Sequence, residues 1–224
     1  MYDVIKKIIR ASIGLVMAGF GIYLTMKANL GLAPWDALNQ GLADILNTTF
    51  GNISVSTAFI VICIDLLLKE RIGYGTILDA LIVGKAVDFF NYLDFIPVQN
   101  SFFTSVLLLV AGLFVISFAI YFYMSAALCC GPRDMLMVAV GKRMRKIPIG
   151  YVNMGVLAAV VVVSLFIGAP VGIGTIISVF GLGFTMQIVN RIFKYEPRNT
   201  NHEDLIETTK RLLRFREDKK GEDF

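Results

Sequence analysis

From Phe102 to Met124 the chain reads FFTSVLLLVAGLFVISFAIYFYM, without one charged side chain. About 20 apolar residues in a helix, at about 1.5 Å each, cross a hydrocarbon core about 30 Å thick. In lipid such a segment has no water to bond its amides, so it closes them within itself as helix. Five further segments have similar character: Ile8–Met26, Ser54–Leu68, Thr76–Phe95, Tyr151–Ile167 and Ile173–Phe193. Overall, 56% of the 224 residues are hydrophobic and 17% charged, against about 25% charged in soluble domains. The mean hydropathy of +0.71 comes from these blocks. The expected fold class is therefore all-α, a polytopic membrane helix bundle.

Two shorter segments differ. Trp35–Leu46 (WDALNQGLADIL) and Arg133–Arg145 (RDMLMVAVGKRMR) follow the hexamers GLAPWD and CCGPRD. Their apolar positions recur at helical spacing, Leu38, Leu42 and Ile45 in one and Leu136 and Val140 in the other. Both are too short and polar for a simple span and read as re-entrant half-helices. Pro34 and Pro132 suit a first helical position, where no N–H is needed, and Asp36 and Asp134 suit the positive helix end. These four residues read as half-helix caps.

The hexamers belong to a longer repeat. Pro132 follows Pro34 by 98 positions (132 − 34), as Asp134 follows Asp36. Gly73-Tyr74-Gly75-Thr76 recurs 99 positions later (172 − 73) as Gly172-Ile173-Gly174-Thr175, and Gly84 and Asn91 recur as Gly183 and Asn190. A colinear series of this kind indicates internal duplication. The basic residues then set the topology. Lys6, Lys7 and Arg10, Lys69 and Arg71, Lys142 to Lys146, and Arg191, Lys194 and Arg198 all fall on one side if the half-helices dip in and return. The loops near Pro97–Asn100 and Ala169–Val171 then face outside without Lys or Arg. Six transmembrane helices plus two re-entrant half-helices result, as an inverted repeat with both termini cytoplasmic. Residues 1–196 form one integral membrane domain, with repeat A at about 8–98 and repeat B at about 102–195; residues 197–224 form a cytoplasmic charged tail. The basic N-terminus lacks a small-x-small cleavage site and reads as an uncleaved first helix.

Thr76–Phe95 carries unusual polarity for a span: Asp79, Lys85, Asp88, Asn91 and Asp94. An ionisable group near the bilayer centre costs about 2.5–3.5 kcal/mol on insertion scales and points to function. Lys85 and Asp88, three apart, share a face and can neutralise each other as a purely structural pair. Their counterparts in the second repeat are Phe184 and Gln187. Charge in one copy only favours a polar site, lined by Lys85, Asp88, Asn91, Gln187 and Asn190. Arg133, which replaces Trp35 in the second copy, either binds a substrate carboxylate or phosphate or pairs with Asp134. The paired glycines lack a phosphate-loop lysine and read as close-packing positions.

Cys63, Cys129 and Cys130 form neither a zinc nor a disulfide pattern and read as buried packing residues. The tail, including an amphipathic stretch at Glu203–Arg216 and the lone His202, reads as solvated or membrane-surface chain. No metal set, cofactor motif or nucleophile with its base stands out, so neither a cofactor nor enzymatic activity is expected. The pI near 9.0 reflects topology and not nucleic-acid binding.

GLAPWD after the first span, GYGT at the entry to the third and the basic N-terminus resemble the YczE/YitT-like group of bacterial multi-pass membrane proteins. The short charged tail is similar to the YczE-like type, which has no soluble C-terminal domain. The resemblance implies a bacterial plasma-membrane protein. The expected function is transport of a small polar or anionic organic solute, by alternating access around a site at the repeat interface. Lipid and a small-molecule substrate are the expected partners, with room for a homo-oligomer or a protein partner. A non-transporting scaffold or accessory subunit, or a channel, are the alternatives.

Overall fold

A computed structural model describes residues 2–70, 72–128, 130–144 and 149–195, and all its regular structure is helical. The charged tail, with Glu203–Arg216 and His202, lies outside the described residues, as do Arg71 and Cys129. Eight helices follow in order: α1 (Tyr2–Lys27), α2 (Pro34–Ile45), α3 (Phe50–Leu67), α4 (Tyr74–Leu93), α5 (Phe102–Met124), α6 (Pro132–Arg143), α7 (Ile149–Phe166) and α8 (Ile173–Ile192).

Local chemistry fixes the boundaries. Proline opens both α2 and α6, with Asp36 and Asp134 in their first turns. Helix α3 starts at Phe50, four residues before the expected Ser54, because Thr49 caps it: the Asn52 N–H donates to Thr49 Oγ1 at 3.2 Å. At α4 and α8 a threonine hydroxyl reaches back over the first turn. The Gly73 N–H donates to Thr76 Oγ1 at 3.4 Å, and the Gly172 N–H to Thr175 Oγ1 at 3.1 Å.

Corresponding positions make corresponding contacts. The Gly75 N–H donates to the Leu128 carbonyl at 2.7 Å, and the Gly174 N–H to the Leu30 carbonyl, also at 2.7 Å. Left-handed backbone occurs at Asn29 (φ 55°) and again at Ala127 (φ 58°), and at Lys69 (φ 57°) and Gly168 (φ 69°). Close approach explains the glycines near the second of these bonds. A Cβ on Gly31, where φ is +103°, would lie 2.5 Å from the Gly172 nitrogen.

The core of the bundle is the crossing of α1 with α5. A Cβ on Gly14 would lie 2.9 Å from the Ala119 carbonyl oxygen, and one on Gly112 would lie 2.9 Å from that of Gly21. Without side chains there, the two backbones meet directly, which is how helices gain packing energy where no hydrophobic effect operates. Helix α4 packs on α1, where Gly19 faces Ala86, and α8 packs on α5, where the buried hydroxyls of Ser117 and Thr185 share a hydrogen bond of 2.6 Å. Interhelical bonds of this type are worth about 0.6 kcal/mol on average and about 1.7 at most. Thr185→Val is therefore expected to cost about 1 kcal/mol, read as a lowered unfolding temperature in detergent micelles.

The outer surface is apolar. Phe59, Leu67, Phe103, Phe166, Phe180 and Phe184 all point outward, an arrangement that water would penalise and lipid accepts. Four helices are long and apolar enough to cross a membrane: α1, α3, α5 and α8. Helix α4 has the length but carries Asp79, Lys85 and Asp88, and the apolar part of α7, Tyr151–Phe166, is shorter. One expectation is corrected. Cys63 is exposed on the outer face of α3 beside Ile64 and not buried, because an outward apolar position in such a protein demands no packing partner. Cys130 is half-buried.

Candidate functional site

The two short helices meet at their first turns. Arg133 Nη1 of α6 donates to Asp36 Oδ1 of α2 at 2.9 Å. The guanidinium also lies over the Trp35 ring, 5.6 Å from its centroid. Trp35 and Arg133 occupy corresponding places in the two hexamers, so two unlike residues at matching positions come into contact. Arg133 thus pairs with the aspartate of the other short helix, where the sequence offered Asp134 of its own. The pair couples α2 to α6 across the bundle, at a point where both helices direct unpaired N–H groups and positive dipole ends.

Two further carboxylates complete the cluster. Asp79 of α4 lies within electrostatic reach of Arg133, Asp134 and Asp36, and Asp134 within reach of Arg133. A Cβ on Gly131 would lie 2.9 Å from Asp79 Oδ2 and 3.5 Å from the Tyr123 hydroxyl, so the glycine that precedes Pro132 leaves room for Asp79. Asp79 is half-buried and Asp134 exposed, so both carboxylates keep accessible surface beside the pair. One turn beyond Asp36, the fully buried Asn39 accepts from the Thr57 hydroxyl at 2.8 Å, and its own amide nitrogen has no partner.

The remaining candidates fall elsewhere. Asp88 accepts from the Thr49 hydroxyl at 2.7 Å and from the Gly51 N–H at 2.8 Å, so it caps the start of α3 from α4. Lys85 Nζ donates to Asn52 Oδ1 at 2.5 Å and stands 3.9 Å from Asp88 Oδ2. These residues form a clamp between α3 and α4. Asn91 Nδ2 lies 3.7 Å from the Met26 sulfur, facing α1. Gln187 and Asn190 lie on α8, Gln187 exposed and Asn190 half-buried, and the structure joins neither to the clamp nor to Arg133. Among the described residues no group of His, Cys, Asp and Glu is suited to a metal.

Removing the Asp88 acceptor strands the Gly51 N–H in a part-buried place and takes a partner from the exposed Thr49 hydroxyl. Asp88→Ala is expected to lower stability by about 1–3 kcal/mol, and Thr49→Val by about 0.5–2 kcal/mol, since it removes the α3 cap while the Gly51 bond survives. Thermal unfolding of both variants in one detergent checks the order.

Sequence reasoning singled out Arg133 and Asp36 but did not pair them, and it missed Asp79 as their neighbour. The available signal was its position, just inside α4 and directly after the GYGT entry that packs on the start of α6. The Thr76 hydroxyl donates to the Cys130 carbonyl at 2.7 Å there.

An apolar-surfaced, all-helical bundle with a charged cluster between two short helices defines a polytopic helical membrane protein. The chain belongs to the family described as "Family of unknown function (DUF6198)", whose profile matches residues 5–191. It is 28% identical over 176 residues to "Uncharacterized membrane protein YczE" of Bacillus subtilis (strain 168), covering 78% of this chain and 80% of the relative. An "Uncharacterized protein" of Haemophilus influenzae is 27% identical over 183 residues, 82% of this chain and 83% of its own. "Uncharacterized protein YyaS" of Bacillus subtilis (strain 168) is 27% identical over 169 residues, 75% and 84% respectively. The YczE-like character expected from the hexamer and the GYGT entry is thereby established. No solved structure matches the chain.

Proposed function

We propose that the protein carries a small polar organic solute across a bacterial plasma membrane, with its site where α2 and α6 meet. The observation that carries this reading is the Arg133–Asp36 bond between the first turns of two short helices, with Asp79 and Asp134 within electrostatic reach of the guanidinium. Broken or short helices whose N-termini converge are how membrane carriers present polar groups at depth without exposing backbone to lipid. In this reading α2 and α6 are re-entrant, the other six helices span, and the halves are inverted copies. The matched Gly75–Leu128 and Gly174–Leu30 bonds support the duplication. The gathering of Arg10, Lys142 and Arg143 at the end of the bundle where α5 finishes supports a cytoplasmic assignment for that end.

The charge balance speaks to the solute. Two helix N-termini of about half a positive charge each offset about one carboxylate. Arg133 offsets a second, and three are present: Asp36, Asp79 and Asp134. The surplus selects a proton or a solute that brings its own positive group, an amine in preference to the plain organic anion that the sequence suggested. Lys85 and Asp88 serve as a clamp beside this site.

Uptake into proteoliposomes across a panel of amines, amino acids and organic acids tests the proposal. Saturable uptake of an amine or amino acid, lost in Arg133→Lys and Asp79→Asn proteins that remain monodisperse, is the expected result. Unchanged uptake in both variants, or no uptake of any panel member, counts against it; a non-transporting scaffold would give the latter.

A further inference from the structure

The two halves pack alike except at one seam. Helix α1 on α4 recurs as α5 on α8, α2 on α3 as α6 on α7, and α2 on α7 as α6 on α3. Helix α3 also packs on α4, but α7 and α8 do not form the corresponding interface. The glycines show it atom by atom. A Cβ on Gly84 would lie 3.0 Å from the Gly51 carbonyl oxygen and 2.8 Å from Ser54 Cβ, whereas one on Gly183, its counterpart, would meet nothing within 4 Å. The α3–α4 seam is shut and the α7–α8 seam is open.

We propose that the seams are alternates. The protein passes between the observed arrangement and one in which α7 closes on α8 while α3 parts from α4. Asp88 is the latch that holds the observed arrangement. Both seams derive from one repeated sequence plan, with glycine kept at Gly84 and Gly183, so each half can adopt the packing of the other. A helix that never closes on a neighbour has no use for a bare glycine on that face, which lowers helix propensity. The latch is present once: Asp88 holds the Thr49 hydroxyl and the Gly51 N–H, and Lys85 holds Asn52. Phe184 and Gln187 stand at the equivalent places of α8 and are exposed. The latch therefore sets the balance between two arrangements of similar backbone, as a difference in contacts must if a two-state element is to be biased. The inference deepens and rests on the transport reading, because an exchange of seams would open the space between the halves to alternate sides.

Disulfide trapping tests it without any solute. In a background with Cys63, Cys129 and Cys130 replaced by Ser, Asn153→Cys and Gly183→Cys mark the open seam at the places equivalent to Ser54 and Gly84. Under copper–phenanthroline oxidation in native membranes, the pair is expected to cross-link slowly in the latched protein. Cross-linking should run at least about tenfold faster when Asp88→Ala removes the latch, since each of the two charge-assisted hydrogen bonds lost would by itself produce a shift of that order. Thr49→Val, the milder change, keeps the test alive should Asp88→Ala fail to fold, and should accelerate trapping in the same direction. An equal rate in latched and unlatched proteins, or no cross-link in either, overturns the proposal. Because trapping is read with no transported molecule, its failure would leave the uptake result standing, and a failed uptake assay would leave trapping standing.

Discussion

Arg133→Met is expected to lower the stability of the protein by about 3 kcal/mol, the low end of the range for breaking a buried ion pair. The low end applies because the Arg133 side chain keeps 31% of its surface accessible while Asp36 keeps 8%. The cost arises less from the lost bond than from what remains. Asp36, Asp79 and Asp134 would stand within electrostatic reach with no cation among them, and like charges beside the buried Asp36 repel. Asp36→Asn should cost less, since Arg133 retains Asp79 and Asp134 as electrostatic partners. Adding Asp36→Asn to Arg133→Met should restore part of the loss, because it removes one of the stranded charges. Trp35, the only tryptophan, lies under the guanidinium and makes its fluorescence a local reporter of the cluster during denaturant titration. Equal stability of Arg133→Met and the parent would show that the carboxylates are satisfied by water alone and that the cluster does not hold the two short helices together.

Gly112→Leu should be at least as damaging, and for a different reason. A Cβ there would stand 2.9 Å from the Gly21 carbonyl oxygen and 2.8 Å from Thr25 Cγ2. No rotamer of leucine avoids that first atom, so α1 and α5 must separate along the main contact of the bundle. Overpacking of this kind costs about 1–3 kcal/mol in ordinary cores and more where backbone must move. Gly183→Leu, on the open face of α8, should change stability by no more than about 0.5 kcal/mol. Size-exclusion profiles after graded heating, with the two variants side by side, read the contrast. If both variants unfold together, the close crossing of α1 and α5 does not limit stability. The same Gly183→Leu change should obstruct closure of α7 on α8, so a stable but transport-dead Gly183→Leu protein would fit the exchange of seams.

Much of this architecture is legible in the sequence because its causes are local or repeated. Proline at the first helical position, threonine at Thr76 and Thr175, and a run such as Phe102–Met124 act within a few residues of themselves, and the matching helix boundaries follow. The segment read as Ser54–Leu68, with room to extend upstream through Asn52, starts still earlier at Phe50 because its cap, Thr49, precedes the polar Gly51-Asn52 pair that masks the apolar run. Cys63 was misjudged because a rule drawn from water-soluble cores assigns apolar residues to the interior, and in lipid the exterior takes them as readily.

The candidate site was legible only in outline. Lys85 and Asp88 stand out as charges in an apolar helix, and their spacing implies a shared face. Their partners, however, lie on α3, 33 to 39 positions away in the chain. No spacing rule reports that a carboxylate on one helix caps another. Asp79 drew less notice because its relation to Arg133 spans two helices and a loop.

The sequence alone determined that this chain is a helical membrane protein, with similar motifs in its two halves and helix starts at Pro34 and Pro132 where backbone groups need protection. Those outcomes follow from the cost of an unpaired amide in hydrocarbon, which each segment must settle by itself. Tertiary structure alone decided which charges meet and which seam is shut. Arg133 found Asp36, Asp88 found the start of α3, and Gly84 closed while Gly183 did not. Such pairings depend on how helices approach one another in space, and identical segments in two different surroundings can reach different ends.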